Sequence, residues 1–155
     1  MEAKLILLVI GFVMGAALVR VVRRPVERRY FKGSNLSLER QGLAVPYSDA
    51  VLAGNTMYVA GRIGTDPNSG AIPPDIEQEV RFMLDSFKAA LAKGGMTMND
   101  VVMVQVYCPD LSLYSRFNAI YLTYFTSDLP ARAFLGSGAL LGGAHFEMLG
   151  IAVRR

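Results

Sequence analysis

Two charged residues stand in apolar surroundings near the C-terminus. Arg132 follows Pro130-Ala131 and precedes Ala133-Phe134-Leu135, and Glu147 is the one acidic residue of the run HFEMLGIAV. An arginine on a rigid element grips a carboxylate through two parallel hydrogen bonds. A glutamate in an apolar strand is suited to orienting or activating a water molecule. The plainer reading of the pair is an ion pair at an interface, with each other or with other groups. Other reactive side chains are scarce: the 155 residues hold one cysteine, Cys108, and one histidine, His145. That excludes a disulfide scaffold and any multi-cysteine zinc or iron–sulfur site, argues against a His-based metal site, and leaves a Ser-His-Asp triad only through His145. Cys108 ends a valine-rich stretch and is expected to be a small buried hydrophobe rather than a nucleophile. His145 is expected at a surface or interface. The chain has no G-x-S-x-G, P-loop or G-x-G-x-x-G motif, and Gly136-Ser137-Gly138 and Gly142-Gly143 read as turns.

The elements that must position these residues follow from periodicity. Ile76, Val80, Met83, Leu84, Phe87 and Leu91 fall at helical spacing after Pro73-Pro74-Asp75, and Gly94-Gly95 ends that helix. Leu113, Phe117, Ile120, Tyr121 and Tyr124 mark a second helix over about 112–126. Strands are expected at 50–53 and 56–61 around Gly54-Asn55, then at 101–107, 131–136 and 144–153. The order β-β-α-β-α-β-β gives an α+β domain with both helices on one sheet face. The other face is apolar at many strand positions, which argues for an oligomer that buries it.

The N-terminus has a different character. Residues 5–19 carry no charge, and a helix over 3–22 is long enough to span a bilayer, which takes about 20 residues. A cleaved signal peptide is the rival reading, but its basic leader would be Lys4 alone, offset by Glu2. Arg20, Arg23, Arg24, Arg28 and Arg29 crowd the far side, which places the domain in the cytoplasm. The expected organisation is a membrane anchor over 1–24, a basic and polar linker over 25–45, and a folded domain over 46–155. Residues 1–33 hold seven of the 16 Lys and Arg and two of the 13 Asp and Glu, a net +5, which leaves −2 for the rest. The domain is therefore not expected to bind nucleic acid.

Several separated motifs carry a family resemblance. Pro46-Tyr47-Ser48-Asp49-Ala50-Val51, the stretch GNTMYVAGRIG from Gly54 to Gly64, and Asp66-Pro67-Asn68-Ser69-Gly70 resemble the first half of the reactive intermediate deaminase family, also called RidA-like or YjgF-like. Tyr107-Cys108-Pro109-Asp110-Leu111, Phe117-Asn118-Ala119-Ile120-Tyr121, Pro130-Ala131-Arg132 and the run EMLGIAV from Glu147 are similar to its second half. The resemblance covers 46–155.

It implies a chorismate-mutase-like fold and a homotrimer with sites in the clefts between subunits. It implies hydrolysis of 2-imino and enamine acids to 2-oxoacids and ammonia, without a cofactor or metal. In family terms Arg132 holds the substrate carboxylate and Glu147 orients the attacking water. Tyr47, Gly61 and Asn118 match positions that line or support the cleft. The chain departs from the family pattern at Ala60, Ala133, Phe134 and Leu149, which makes the pocket less polar, with Phe134 against the substrate. The competing expectation is a non-catalytic, membrane-tethered trimer that binds a small carboxylate.

Overall fold

The computed structural model describes residues 25–33, 42 and 44–155. Strands β1 (Arg28–Lys32), β2 (Ser48–Ala53), β3 (Thr56–Ile63), β4 (Val101–Cys108), β5 (Ala131–Gly136) and β6 (Glu147–Val153) form one sheet in the order β1-β2-β3-β6-β4-β5. Helix α1 (Ile76–Lys93) follows β3 in the chain, and α2 (Tyr114–Tyr124) joins β4 to β5. Only β4 and β5 run parallel. Parallel neighbours need a crossover, and α2 supplies it.

Local chemistry sets the element ends. Gly54 turns the β2–β3 hairpin with φ at +60°, a conformation that a side chain resists. Asp75 caps α1, its carboxylate accepting from the Glu77 N–H at 3.1 Å, and the Gly94 N–H closes the helix onto Leu91 O. Val80, Met83, Leu84, Phe87 and Leu91 of α1 are fully buried, with Phe117, Ile120 and Tyr121 of α2 beside them. Val104, Val106, Phe146, Met148 and Ala152 of the sheet side complete this core.

The other face is open. Register links Tyr30, Val51, Tyr58, Ile151, Met103 and Ala131 in one ladder across all six strands. Tyr58, near its middle, is 52% exposed. A contiguous apolar face of this kind marks a contact surface.

Three expectations need correction. The stretch 25–45 is not all linker, because β1 lies within it and pairs with β2. The last strand starts at Glu147, not 144, because a 3-10 turn at Leu141–Gly143 precedes it and a buried carboxylate takes the His145 and Phe146 N–H groups out of the ladder. The second helix opens with a 3-10 turn at Leu111–Leu113, capped by Asp110, before α2 begins. Among the described residues no helix is long and apolar enough to cross a membrane. The anchor expected over 3–22 lies outside them.

Candidate active site

Arg132 sits in β5 opposite the fully buried Val104 of β4, so it projects to the helix-covered face. Its guanidinium carbon stands 4.6 Å from the centre of the Tyr121 ring, 5.6 Å from Tyr114, and 5.9 Å from both Phe117 and Phe134. Four aromatic rings thus hold the cation by their π-faces and edges. The rings brace one another: Tyr114 meets Phe134 edge-on at 5.0 Å, and Phe117 meets Phe134 at 5.2 Å. Arg132 Nη2 donates to the Tyr114 hydroxyl at 3.2 Å. Asn118 lies one helical turn beyond Tyr114 on the same face of α2. A hydrogen bond from Asn118 holds the Tyr114 hydroxyl below the usual phenol range, and the Arg132 charge adds to the effect. Burial pushes the Tyr121 hydroxyl up to about 12, against the opposing pull of Arg132. Asn118 Oδ1 and Tyr121 Oη are buried with no partner among the described residues.

Glu147 belongs to the opposite face. It opens β6 across from Ile63 and Tyr107, whereas its neighbour Met148 points into the core beside Val106. The β3–β6 register shifts between Val59 and Arg62, and this bulge brings Gly61 against the carboxylate. A Cβ on Gly61 would overlap Glu147 Oε1. Arg62 pins the bulge from the core side, its Nη2 lying 2.8 Å from Asp49 Oδ1, with Lys93 on the second carboxylate oxygen. Next to Glu147 on the open face, Tyr107 donates to Gln105 Oε1 at 3.2 Å. Tyr47, exposed just before β2, stands at the same end of the sheet.

The chain therefore gathers the expected site residues into two groups. Arg132, Asn118 and Phe134 share the helix face of the β5 edge, and Gly61 and Glu147 share the open face. No salt bridge joins Arg132 to Glu147. Neither group holds three His, Cys, Asp or Glu residues close enough for a metal ion among the described residues. A shallow groove lined by Asn99, Val102, Pro130 and Arg154 lies at the end of the sheet where β5 begins, opposite the end that holds Glu147.

Two functional supports escaped the sequence reading. Glu79 of α1 is fully buried and accepts from the His145 N–H at 2.7 Å and the Phe146 N–H at 3.2 Å. His145 Nδ1 lies 2.7 Å from its other oxygen. This clamp fixes the backbone immediately before Glu147. Its signal was a charge on the apolar stripe of α1, between Ile76 and Val80. The second is Tyr114, whose contact with Arg132 has no local sequence signature. Cys108 is fully buried, and burial raises its thiol above the ordinary range.

A six-stranded mixed sheet with both helices on one face defines the class of small α+β domains. Within that class the chain belongs to the family described as Endoribonuclease L-PSP, whose family model matches residues 39–154. This is the family resembled above under the names RidA-like and YjgF-like. A RutC family protein of Pyrococcus abyssi is 37% identical over 110 residues, 70% of this chain and 87% of the relative. A 2-iminobutanoate/2-iminopropanoate deaminase of Mus musculus is also 37% identical over 110 residues, 70% of this chain and 82% of the relative. Deaminase-like hydrolases are thus among its relatives. The crystal structure of the YjgF gene product of E. coli superposes with a TM-score of 0.70 at 27% identity, covering 86% of this chain and all of the other.

Proposed function

We propose that the protein hydrolyses 2-imino acids and their enamine tautomers to 2-oxoacids and ammonia. The site is a cleft between two copies of the chain, with Arg132 from one and Glu147 from the other. The observation that carries this reading is their placement on opposite sheet faces, each with its own polar support. A second copy seated on the open face brings Glu147 opposite an Arg132 edge. The name of the mouse relative supports the reaction class. The homotrimer implied by the family resemblance is a closed ring in which each open face meets a neighbouring copy.

The chemistry needs little beyond position. An imine carbon is already electrophilic, so a placed water and a proton relay suffice. Arg132 holds the substrate carboxylate through paired N–H donors. Glu147 accepts a proton from the attacking water as the C–O bond forms, giving a carbinolamine. Glu147 returns that proton to nitrogen and then takes the hydroxyl proton as the C–N bond breaks, so that the carbonyl forms and ammonia leaves. Phe134, on the same face as Arg132, gives the pocket apolar surface and favours small or flat side chains on the substrate. Residues 34–155 carry −2, and that balance favours a small acid over RNA as substrate.

The tether is part of the same proposal: residues 3–22 span a membrane and hold the domain on its cytoplasmic side. It is supported by the uncharged run 5–19 and the arginines that follow. Full-length chain remaining with the membrane pellet after alkaline carbonate washing is expected, and its release would remove this element.

The activity is tested by generating 2-imino acids in situ with an amino-acid oxidase and following imine loss against spontaneous hydrolysis. The wild-type chain accelerates the loss. Arg132→Ala loses on the order of 2–5 kcal/mol of transition-state stabilisation, because a buried charged pair is broken. Binding of 2-oxoacids without acceleration of any imine would leave the carboxylate-binding trimer as the function.

A further inference from the structure

We infer that Tyr114 is a substrate-binding residue of this site, its O–H acting as a third donor to the carboxylate that Arg132 holds. The inference rests on the carboxylate role proposed for Arg132 and extends it to a residue that the family resemblance did not single out.

A phenol oxygen carries one proton and two acceptor positions. At Tyr114 both contacts within the chain come from donors. Arg132 Nη2 donates to the oxygen at 3.2 Å, and the nearby Asn118 side chain adds to the pull toward the ionised form. Asn118 Oδ1, the one acceptor on that amide, has no partner among the described residues, so the amide presents its N–H side to the tyrosine. With Arg132 donating to the oxygen, the hydroxyl's own proton is left to donate. The residue is 44% exposed, so a ligand from solvent can reach the hydroxyl.

The surroundings fix where the proton points. The Tyr114 ring stands edge-on to Phe134, with ring planes at 89°. The guanidinium lies over Tyr121, which sets the orientation of its own N–H groups. A carboxylate binding the free edge of Arg132 thus arrives beside a hydroxyl already polarised by the same cation. An O–H to carboxylate bond of this kind is charge-assisted and short. The arrangement favours a carboxylate over a neutral amide or ester, which offers one acceptor oxygen in place of two charged ones.

Ionisation of Tyr114 would remove the donor and place a negative charge against the ligand. Asn118 and Arg132 hold its ionisation below the usual phenol range, so binding weakens at moderately alkaline pH. The charged and titratable groups that face the hydroxyl are Arg132 from β5, Tyr121 from its own helix and, in the assembled cleft, Glu147 of a second copy. Tyr121 ionises later, at about 12. Arg132 stays charged throughout.

The test titrates full-length protein with 2-oxobutanoate by calorimetry from neutral pH to about pH 10.5, using wild type, Tyr114→Phe and Arg132→Ala. Tyr114→Phe keeps the ring against Phe134, and its fold is checked by near-ultraviolet circular dichroism. The expected result is a Kd about tenfold weaker for Tyr114→Phe at pH 7.5, the loss of one hydrogen bond to a charged group. The alkaline decline of affinity in the wild type should also vanish in this variant. In turnover of 2-imino acids, Tyr114→Phe raises KM and leaves kcat nearly unchanged, because the bond serves substrate and transition state alike. Binding that Arg132→Ala abolishes but Tyr114→Phe leaves unchanged at every pH would overturn the inference alone, and would place the hydroxyl proton on Asn118 instead. Failure of the wild type to bind any 2-oxoacid would overturn the carboxylate role of Arg132, and this inference with it.

Discussion

Gly61 and Glu147 meet across β3 and β6 with no room for a side chain on the glycine, whose Cβ would overlap the carboxylate oxygen. The bulge that places Gly61 there is locked by Arg62 on Asp49, so the backbone has little freedom to retreat. Gly61→Ala must therefore move the glutamate. The nearest atom is the far end of a flexible side chain, so the stability cost should be under about 1 kcal/mol. Displacing a water-orienting group by about 1 Å costs roughly a hundredfold in rate. The variant is expected to stay folded by urea denaturation while kcat for imine hydrolysis drops by about that factor. A fully active Gly61→Ala would show that Glu147 does not work from its observed position.

Arg132 and Glu147 project from opposite faces, and the proposed cleft between copies would let one defective chain lend the other what it lacks. Arg132→Ala and Glu147→Gln chains, each inactive alone, should regain activity when co-expressed or refolded together. With random mixing in a trimer, about a quarter of the clefts would pair an intact arginine with an intact glutamate. Activity near a quarter of wild type is expected in the imine-loss assay. No recovery in mixed trimers would mean that each site is built within one chain.

The hairpin, both helices and the valine-rich β4 were legible in the sequence because their signals are local: a Gly-Asn turn, a 3.6-residue stripe, a run of β-branched residues. Strand β1 was not, because RRYFK sits at the sheet edge with four of its five residues exposed and shows no alternation to follow. The chemical types of Arg132 and Glu147 were legible for the same local reason. Their separation was not, since it depends on the registers of β4 with β5 and β6, which are set over long range. Tyr114 gains its meaning only from Asn118 one turn on and Arg132 one strand over.

Glu79 holds the approach to Glu147 with a fully buried carboxylate. Glu79→Ala leaves the His145 and Phe146 N–H groups without acceptors in the core. Removing one partner of such a buried cluster costs about 3 kcal/mol. Glu79→Gln keeps an oxygen for the two N–H groups and offers an N–H to His145 Nδ1, so its cost should be under about 1 kcal/mol. Urea titrations with unchanged m-values separate the two. Equal stability of both variants with wild type would remove the clamp. If the clamp also serves the site, Glu79→Ala lowers kcat under conditions where it remains folded.

Two tyrosines make the fold sensitive to alkali. Burial pushes the Tyr121 hydroxyl up to about 12, and burial followed by the hydrogen bond to Asp85 does the same for Tyr124. In the unfolded chain a tyrosine ionises near pH 10. Both groups are neutral in both states below that value, and the fold keeps their full contribution there. Between about pH 10 and about pH 12 the unfolded chain gives up protons that the folded chain retains, so stability falls as pH rises. Tm is expected to be flat up to about pH 9.5 and then to drop by several degrees. Tyr121→Phe should reduce that drop. It also removes a buried hydroxyl with no partner among the described residues, so the variant should lose little stability at pH 7. An identical alkaline decline in Tyr121→Phe and wild type would assign the sensitivity to other groups.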